Sequence, residues 1–125
     1  MRVRGFVALS LAMFGTAVPA QSAPVPAQSV KAARCSIWMR NAIQYDGPCQ
    51  FEAERGGSFS LSFPYASGDL SGLGIGEIFV LITARGVAVV SDSGPDGHVS
   101  NWGPARRSRR DRACWEGRDF RVCAY

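Results

Sequence analysis

The chain has 125 residues, 46% of them hydrophobic, and its 14 basic and 10 acidic residues give a formal net charge of +4. That length bounds it to a single domain whose core is thin enough for crosslinks to matter. No motif of a nucleic-acid-binding fold is present, and no segment after residue 20 is apolar for long enough to cross a membrane.

Residues 1–20 have the three parts of an export signal. Met1-Arg2-Val3-Arg4 supplies a positive start, Gly5 to Val18 is almost wholly apolar, and Val18-Pro19-Ala20 places small residues before a cut at Gln21. The apolar run is about 14 residues, short of the ~20 that a spanning helix needs, so a retained anchor is the weaker reading. No cysteine adjoins the cut, which argues against a lipid anchor. The expected location is periplasmic or secreted. Residues 21–32, rich in Pro, Ala, Gln and Ser and without an apolar face, read as a flexible linker. Residues 33–125 are the expected folded domain.

Within that domain nearly every apolar segment reads as strand. Cys35-Ser-Ile-Trp-Met39 is followed by a turn at Arg40-Asn41 and a second strand, Ala42 to Tyr45. Asp46-Gly47-Pro48 is expected to break the chain before Cys49 to Ala53, and Arg55-Gly56-Gly57 to turn it. Ser58 to Phe63 alternates strictly, putting Phe59, Leu61 and Phe63 on one buried face. Glycines and polar residues from Ala66 to Gly76 read as a flexible loop. Ile78 to Thr83 and Val87 to Ser91 are continuously apolar, the mark of central strands. Asp92 to Arg112 reads as a long loop, with a turn of helix open to it near Pro104 to Arg109, before a last hairpin from Cys114 to Cys123. The fold class is all-β: a small antiparallel sheet or barrel-like domain of about six to seven short strands, stapled by two disulfides.

Four cysteines allow three pairings. Cys35–Cys49 with Cys114–Cys123 is favoured, because each pair brackets a turn and can lie across adjacent strands. The rival pairings would tie the first strand to the last. Each bridge should contribute roughly 3 kcal/mol on the chain-entropy model. Zinc is not expected: its ligands come in pairs two to four residues apart, whereas 13 and eight residues separate these cysteines.

Charge is unevenly placed. Arg34 to Pro104 holds four Arg against seven acidic residues, and Ala105 to Arg121 seven Arg against three. The run Arg106-Arg107-Ser108-Arg109-Arg110-Asp111-Arg112 is either a solvated loop or a patch for an oxyanion, since guanidinium forks bind carboxylate and phosphate bidentately. Trp102 lies just ahead of it, where a flat ring can stack on a sugar or anchor a partner; packing over a barrel mouth is the alternative. Trp102, Arg106, Arg107, Arg109 and Arg110 are the candidate binding residues. Trp38, Phe51, Phe59, Phe63, Phe79 and Phe120 are expected in the core, and Trp115 on or near the disulfide beside it.

No catalytic constellation stands out. His98 is the single histidine; Asp92, Ser93, Asp96 and Ser100 crowd into the same loop, whereas a triad draws its members from separate elements. Asp92 to Gly97 imitates the start of a calcium loop, but Gly94 and Gly103 stand where ligands belong. Gly72-Leu-Gly74-Ile-Gly76 lacks the Gly-Lys-Ser/Thr of a phosphate cradle. Glu52 and Glu54 read as a solvated strand face.

Gly47-Pro48-Cys49-Gln50-Phe51, Gly56-Gly57-Ser58-Phe59, Ala113-Cys114-Trp115 and Arg121-Val122-Cys123-Ala124 resemble a family of short exported bacterial proteins with two cysteine pairs and no assigned activity. In size and export the chain is also similar to periplasmic lysozyme inhibitors, small disulfide-bearing β-barrels, although their inhibitory loop has no match here. The expected function is a noncatalytic exported protein, without cofactor or metal, that binds an acidic protein or envelope glycan. Inhibition of a lysozyme or other wall hydrolase is the alternative, and a small hydrolase using His98 the remoter one.

Overall fold

A computed structural model describes residues 10–21, 29–63 and 69–125. Residues 10–21 have no regular structure, and Leu11, Met13, Phe14 and Val18 are exposed there. Among the described residues no helix is long and apolar enough to cross a membrane. The rest of the linker, residues 22–28, and residues 1–9 lie outside the described residues, as do 64–68, the last three of which belong to the expected glycine loop.

From Val30 onward the chain forms eight antiparallel strands: β1 (Val30–Met39), β2 (Ala42–Ala53), β3 (Phe59–Ser62), β4 (Glu77–Ala84), β5 (Val87–Ser93), β6 (Val99–Arg107), β7 (Cys114–Gly117) and β8 (Phe120–Ala124). Each pairs with the next in sequence, and β8 returns to β1, closing a barrel. Closure pairs the first strand with the last, although among the described residues β1 before Arg34, β2 before Gln50 and β6 before Ala105 each keep one side unpaired.

The all-β reading and both disulfides hold, with departures that have physical causes. β1 begins at Val30, inside the stretch expected to be linker, because Val30 to Cys35 pair with Glu52 to Gly47 on β2. β2 runs straight through Asp46-Gly47-Pro48. It acquires β3 as a second neighbour only from Gln50 on, so Pro48 sits where a strand tolerates a missing N–H. Arg40 and Asn41 form the expected two-residue turn, both with positive φ, 51° and 62°, matching the twist of the flanking strands. The long loop expected from Asp92 to Arg112 is mostly strand: β6 pairs with β5 on one side and β7 on the other, leaving no helical turn near Pro104. Among the described residues the one α-helical turn is α1 (Asp69–Gly72).

Burial alternates along the strands. Ile37, Leu61, Ile78, Val80, Val90 and Val122 face inward and are 1% exposed or less. The Cys35–Cys49 disulfide belongs to this interior, bridging β1 and β2 diagonally with Cα atoms 5.8 Å apart. Cys114 and Cys123 stand directly opposite each other on β7 and β8, Cα atoms 4.0 Å apart, and are buried without joining the core cluster. One bridge is inside the barrel and the other on its outer wall. No cysteine is free, which marks a protein of an oxidising, non-cytoplasmic compartment.

Parity also corrects two aromatic expectations. Trp38, two residues after outward-facing Ser36, lies on the outer wall, and Phe79 is half-buried between inward Ile78 and Val80. Trp115 packs into the core, on the opposite face of β7 from the disulfide of its neighbour Cys114.

Candidate binding surfaces

The two ends of the barrel are built differently. At one end, side chains and the described part of the connection between β3 and β4, residues 69–76, cover the opening. Leu70 of α1 and Ile75 are 0% and 3% exposed and join the core. Their connection is tied to the barrel by Phe63 N–H to Gly76 C=O at 3.2 Å and Gly76 N–H to Ser93 C=O at 2.9 Å. The stretch expected to be a flexible loop thus ends in a plug. Beside it, a bulge between Val90 and Ser91 of β5 leaves Trp102 of β6 without an opposite residue. Bulges re-aim side chains, and here the indole packs edge-on against Phe120, ring centroids 5.4 Å apart. Its Nε1–H donates to Asp92 Oδ2 at 2.6 Å, which satisfies a carboxylate only 5% exposed.

The other end carries the arginine run, as an ordered loop between β6 and β7. Ser108, buried at the loop's base, accepts from the backbone N–H groups of Arg110 and Asp111 on its Oγ. Ser108 N–H donates to Cys114 C=O, and Cys114 N–H to Asp111 C=O, each at 2.9 Å. Asp111 takes the N–H of Ala113 at 3.1 Å and the Tyr125 hydroxyl at 2.6 Å. Those two bonds, the tyrosine's foremost, hold the Asp111 carboxyl below its ordinary pKa, and the same bond to Asp111 raises the Tyr125 phenol above its own.

Asp111 is therefore occupied by Tyr125 and Ala113. Among the described residues the single salt bridge is Arg34–Asp46, 2.8 Å apart on the outer wall, so no carboxylate pairs with Arg106, Arg107, Arg109, Arg110 or Arg112. Arg106 faces outward opposite Glu116 of β7. Arg107 lies over the Trp115 ring, 5.6 Å from its centroid, and donates from Nε to Arg112 C=O at 2.8 Å. Arg109 and Arg110 are exposed.

The structure does not gather the candidate residues into one cluster. β6 runs from the plugged end to the open end. Four residues at ~3.3 Å each therefore put Trp102 and Arg106 about 13 Å apart along the strand, and the indole is turned inward. Arg107 and Arg112 meet at a cleft of about 400 Å³ at the open mouth, floored by Phe51, Phe59, Ile82, Trp115 and Ala124. Arg110 instead borders a groove of about 320 Å³ on the outer wall, where Trp38 and Arg121 face each other across β1 and β8. There the Arg121 guanidinium stacks 4.7 Å from the Trp38 ring centroid, and the indole N–H donates to Ser36 Oγ at 2.9 Å. Asp46, Asp111 and Glu116 share that groove with Arg110 and Arg121, so its charge is mixed. Sequence reasoning missed both hollows. Trp38 was readable from parity with Ser36, whereas the mouth exists only once β8 pairs with β1.

His98, in the turn between β5 and β6, and Ser100 of β6 are bonded, Nε2 to Oγ at 2.9 Å. A triad needs a carboxylate on the other ring nitrogen. Asp96 Oδ1 instead accepts from the His98 backbone N–H, and Asp92 is bonded to Trp102.

Compared with protein-family models, curated proteins and solved structures, the chain matches none of them.

Proposed function

We propose that this is an exported, noncatalytic binding module that captures an acidic protein or envelope glycan on the arginine loop between β6 and β7. Residues 1–20 would serve as the export signal. The exposure of Leu11, Met13, Phe14 and Val18 supports that reading, since none of them contributes to the barrel. The periplasm or the exterior is the matching location for a chain with two disulfides.

One observation carries the proposal: Arg106 and Arg107 at the end of β6 join Arg109, Arg110 and Arg112 on a loop ordered by its own hydrogen bonds, and the single carboxylate in that run, Asp111, is bonded to Tyr125 and Ala113. Positive charge on a preformed loop loses little conformational freedom on binding an anion. Trp102 has no part in this surface.

The test replaces Arg106, Arg109 and Arg110 with serine and spares Arg107, whose side chain supports the loop. Stability should change by no more than about 0.5 kcal/mol per site. Retention on heparin and on polyglutamate, salt-sensitive in the parent, should be lost. Retention at the parent's level would overturn the proposal.

A further inference from the structure

The open mouth has a feature that a purely acidic partner would not use, namely its apolar floor. Phe51 and Phe59 stack there, centroids 4.9 Å apart, next to half-buried Ile82 and to Trp115. A second hollow of about 220 Å³, lined by Lys31, Ala33 and Tyr125, continues the floor through the shared residues Phe51 and Ala124. Among the described residues, the charged side chains lining the two hollows are Arg107, Arg112 and Lys31, with no carboxylate among them. This differs from the outer groove, where both signs occur. The rim on the turn side is Gly56, Gly57 and Gly86, all with positive φ, so among the described residues no side chain shields the floor there.

We infer that this end of the barrel binds a single-chain anionic amphiphile, an alkyl carboxylate, with its head between Arg107 and Arg112 and its chain along Phe51 and Ile82 toward Lys31. Arg107 is already positioned, since its Nε is held by Arg112 C=O and its guanidinium plane by Trp115, leaving the terminal nitrogens for the carboxylate. The size agrees: small-molecule sites begin at ~300 Å³, and the cleft is about 400 Å³. An eight-stranded barrel has room for packed side chains or for one small ligand. Here Leu61, Val80, Val90 and Val122 fill the middle, so the chain lies across the mouth and does not enter the axis. A polar acidic loop would leave the apolar floor of Phe51, Phe59 and Ile82 in water. The inference shares its cations with the arginine run but stands on the apolar floor, independently of the acidic-partner reading.

Calorimetry on the folded chain, with alkyl carboxylates of eight to 14 carbons below their micellar concentrations, tests it. Affinity should rise with chain length by up to about fourfold for each methylene buried, ~0.8 kcal/mol each, and level off once the chain outruns the two hollows. Dodecanoate should bind at least tenfold more tightly than dodecyltrimethylammonium. Arg112→Ser, at an exposed side chain, should weaken dodecanoate about fivefold or more and leave dodecanol unchanged. Equal binding of the two head groups, affinity independent of chain length, or an unaltered Arg112→Ser variant would overturn the inference. The Arg106, Arg109, Arg110 triple variant separates the two readings, because it should lose the acidic matrices and keep dodecanoate. Absence of dodecanoate binding with matrix retention intact would sink this inference and leave the acidic-partner reading standing.

Discussion

The two ends of this barrel solve the same problem in opposite ways. A closed sheet of eight strands leaves two openings, and each exposes inward-facing apolar side chains unless something covers them. At the plugged end Leu70, Ile75, Trp102 and Phe120 do so, and the buried carboxylate there, Asp92, has the indole N–H as partner. At the open end the chain contributes three glycines and two arginines over a floor of Phe51, Ile82 and Trp115. Glycine covers nothing, and arginine covers apolar surface only with its stem while its head stays in water. The difference leaves one end packed and the other with an apolar floor that only arginine stems and glycine backbone border.

The largest effect expected from that contrast is at the plug. Leu70→Ala removes a fully buried side chain from the connection between β3 and β4, and should cost about 2–5 kcal/mol. Ile82→Ala at the open mouth, where the side chain is only half-buried, should cost roughly half as much or less. Urea denaturation of both variants checks the pair, and equal losses would erase the distinction between the ends.

Next in size is Trp102→Phe. The ring packing against Phe120 is kept, but Asp92 loses its donor in a site that excludes water, at a cost of about 1–3 kcal/mol. Adding Asp92→Asn should recover part of that loss, because a neutral amide is less costly to leave without this partner. A double variant no more stable than Trp102→Phe alone would mean that the indole acts at this end only through its bulk.

The contrast also explains what could be read from the residues alone. Local patterns were legible: the alternation of Phe59, Leu61 and Phe63, the Arg40-Asn41 turn, and two cysteine pairs each spanning neighbouring strands. The same parity placed Trp38 outside with Ser36, but its size and its strand made it look like core. The continuous apolar runs of β4 and β5 marked strands with two neighbours, which a closed barrel provides, though Leu81 on their outer side is 56% exposed. The plug was hidden because Leu70 and Ile75 are two apolar residues in a glycine-rich stretch, with no period to announce them. The inward turn of Trp102 depends on a bulge fixed by the register of β5 against β6, a tertiary fact. The division of the arginines between mouth, outer groove and solvent follows from the same registers, so the run could be recognised as basic but not sorted.

The smallest effect concerns the order of the arginine loop, and its signature is pH. Tyr125 donates to Asp111, and Asp111 also holds Ala113 N–H; together these tie the end of the chain to the loop beside the outer disulfide. The Asp111 carboxyl is held below its ordinary 3.8, so its contribution is fully present above that pH and is lost as pH falls through the lowered value. The Tyr125 phenol is raised above 10.0, so its contribution is present below that pH and is lost as pH rises through the raised value. Tyr125→Phe removes the shared bond. Its stability difference from the parent should therefore be constant between about pH 4 and pH 10 and shrink on both sides of that window. Denaturation midpoints at pH 3, 7 and 11 measure this. A difference that grows in acid would mean that Tyr125 stabilises protonated Asp111, and the loop would then owe its order to Ser108 and the disulfide alone.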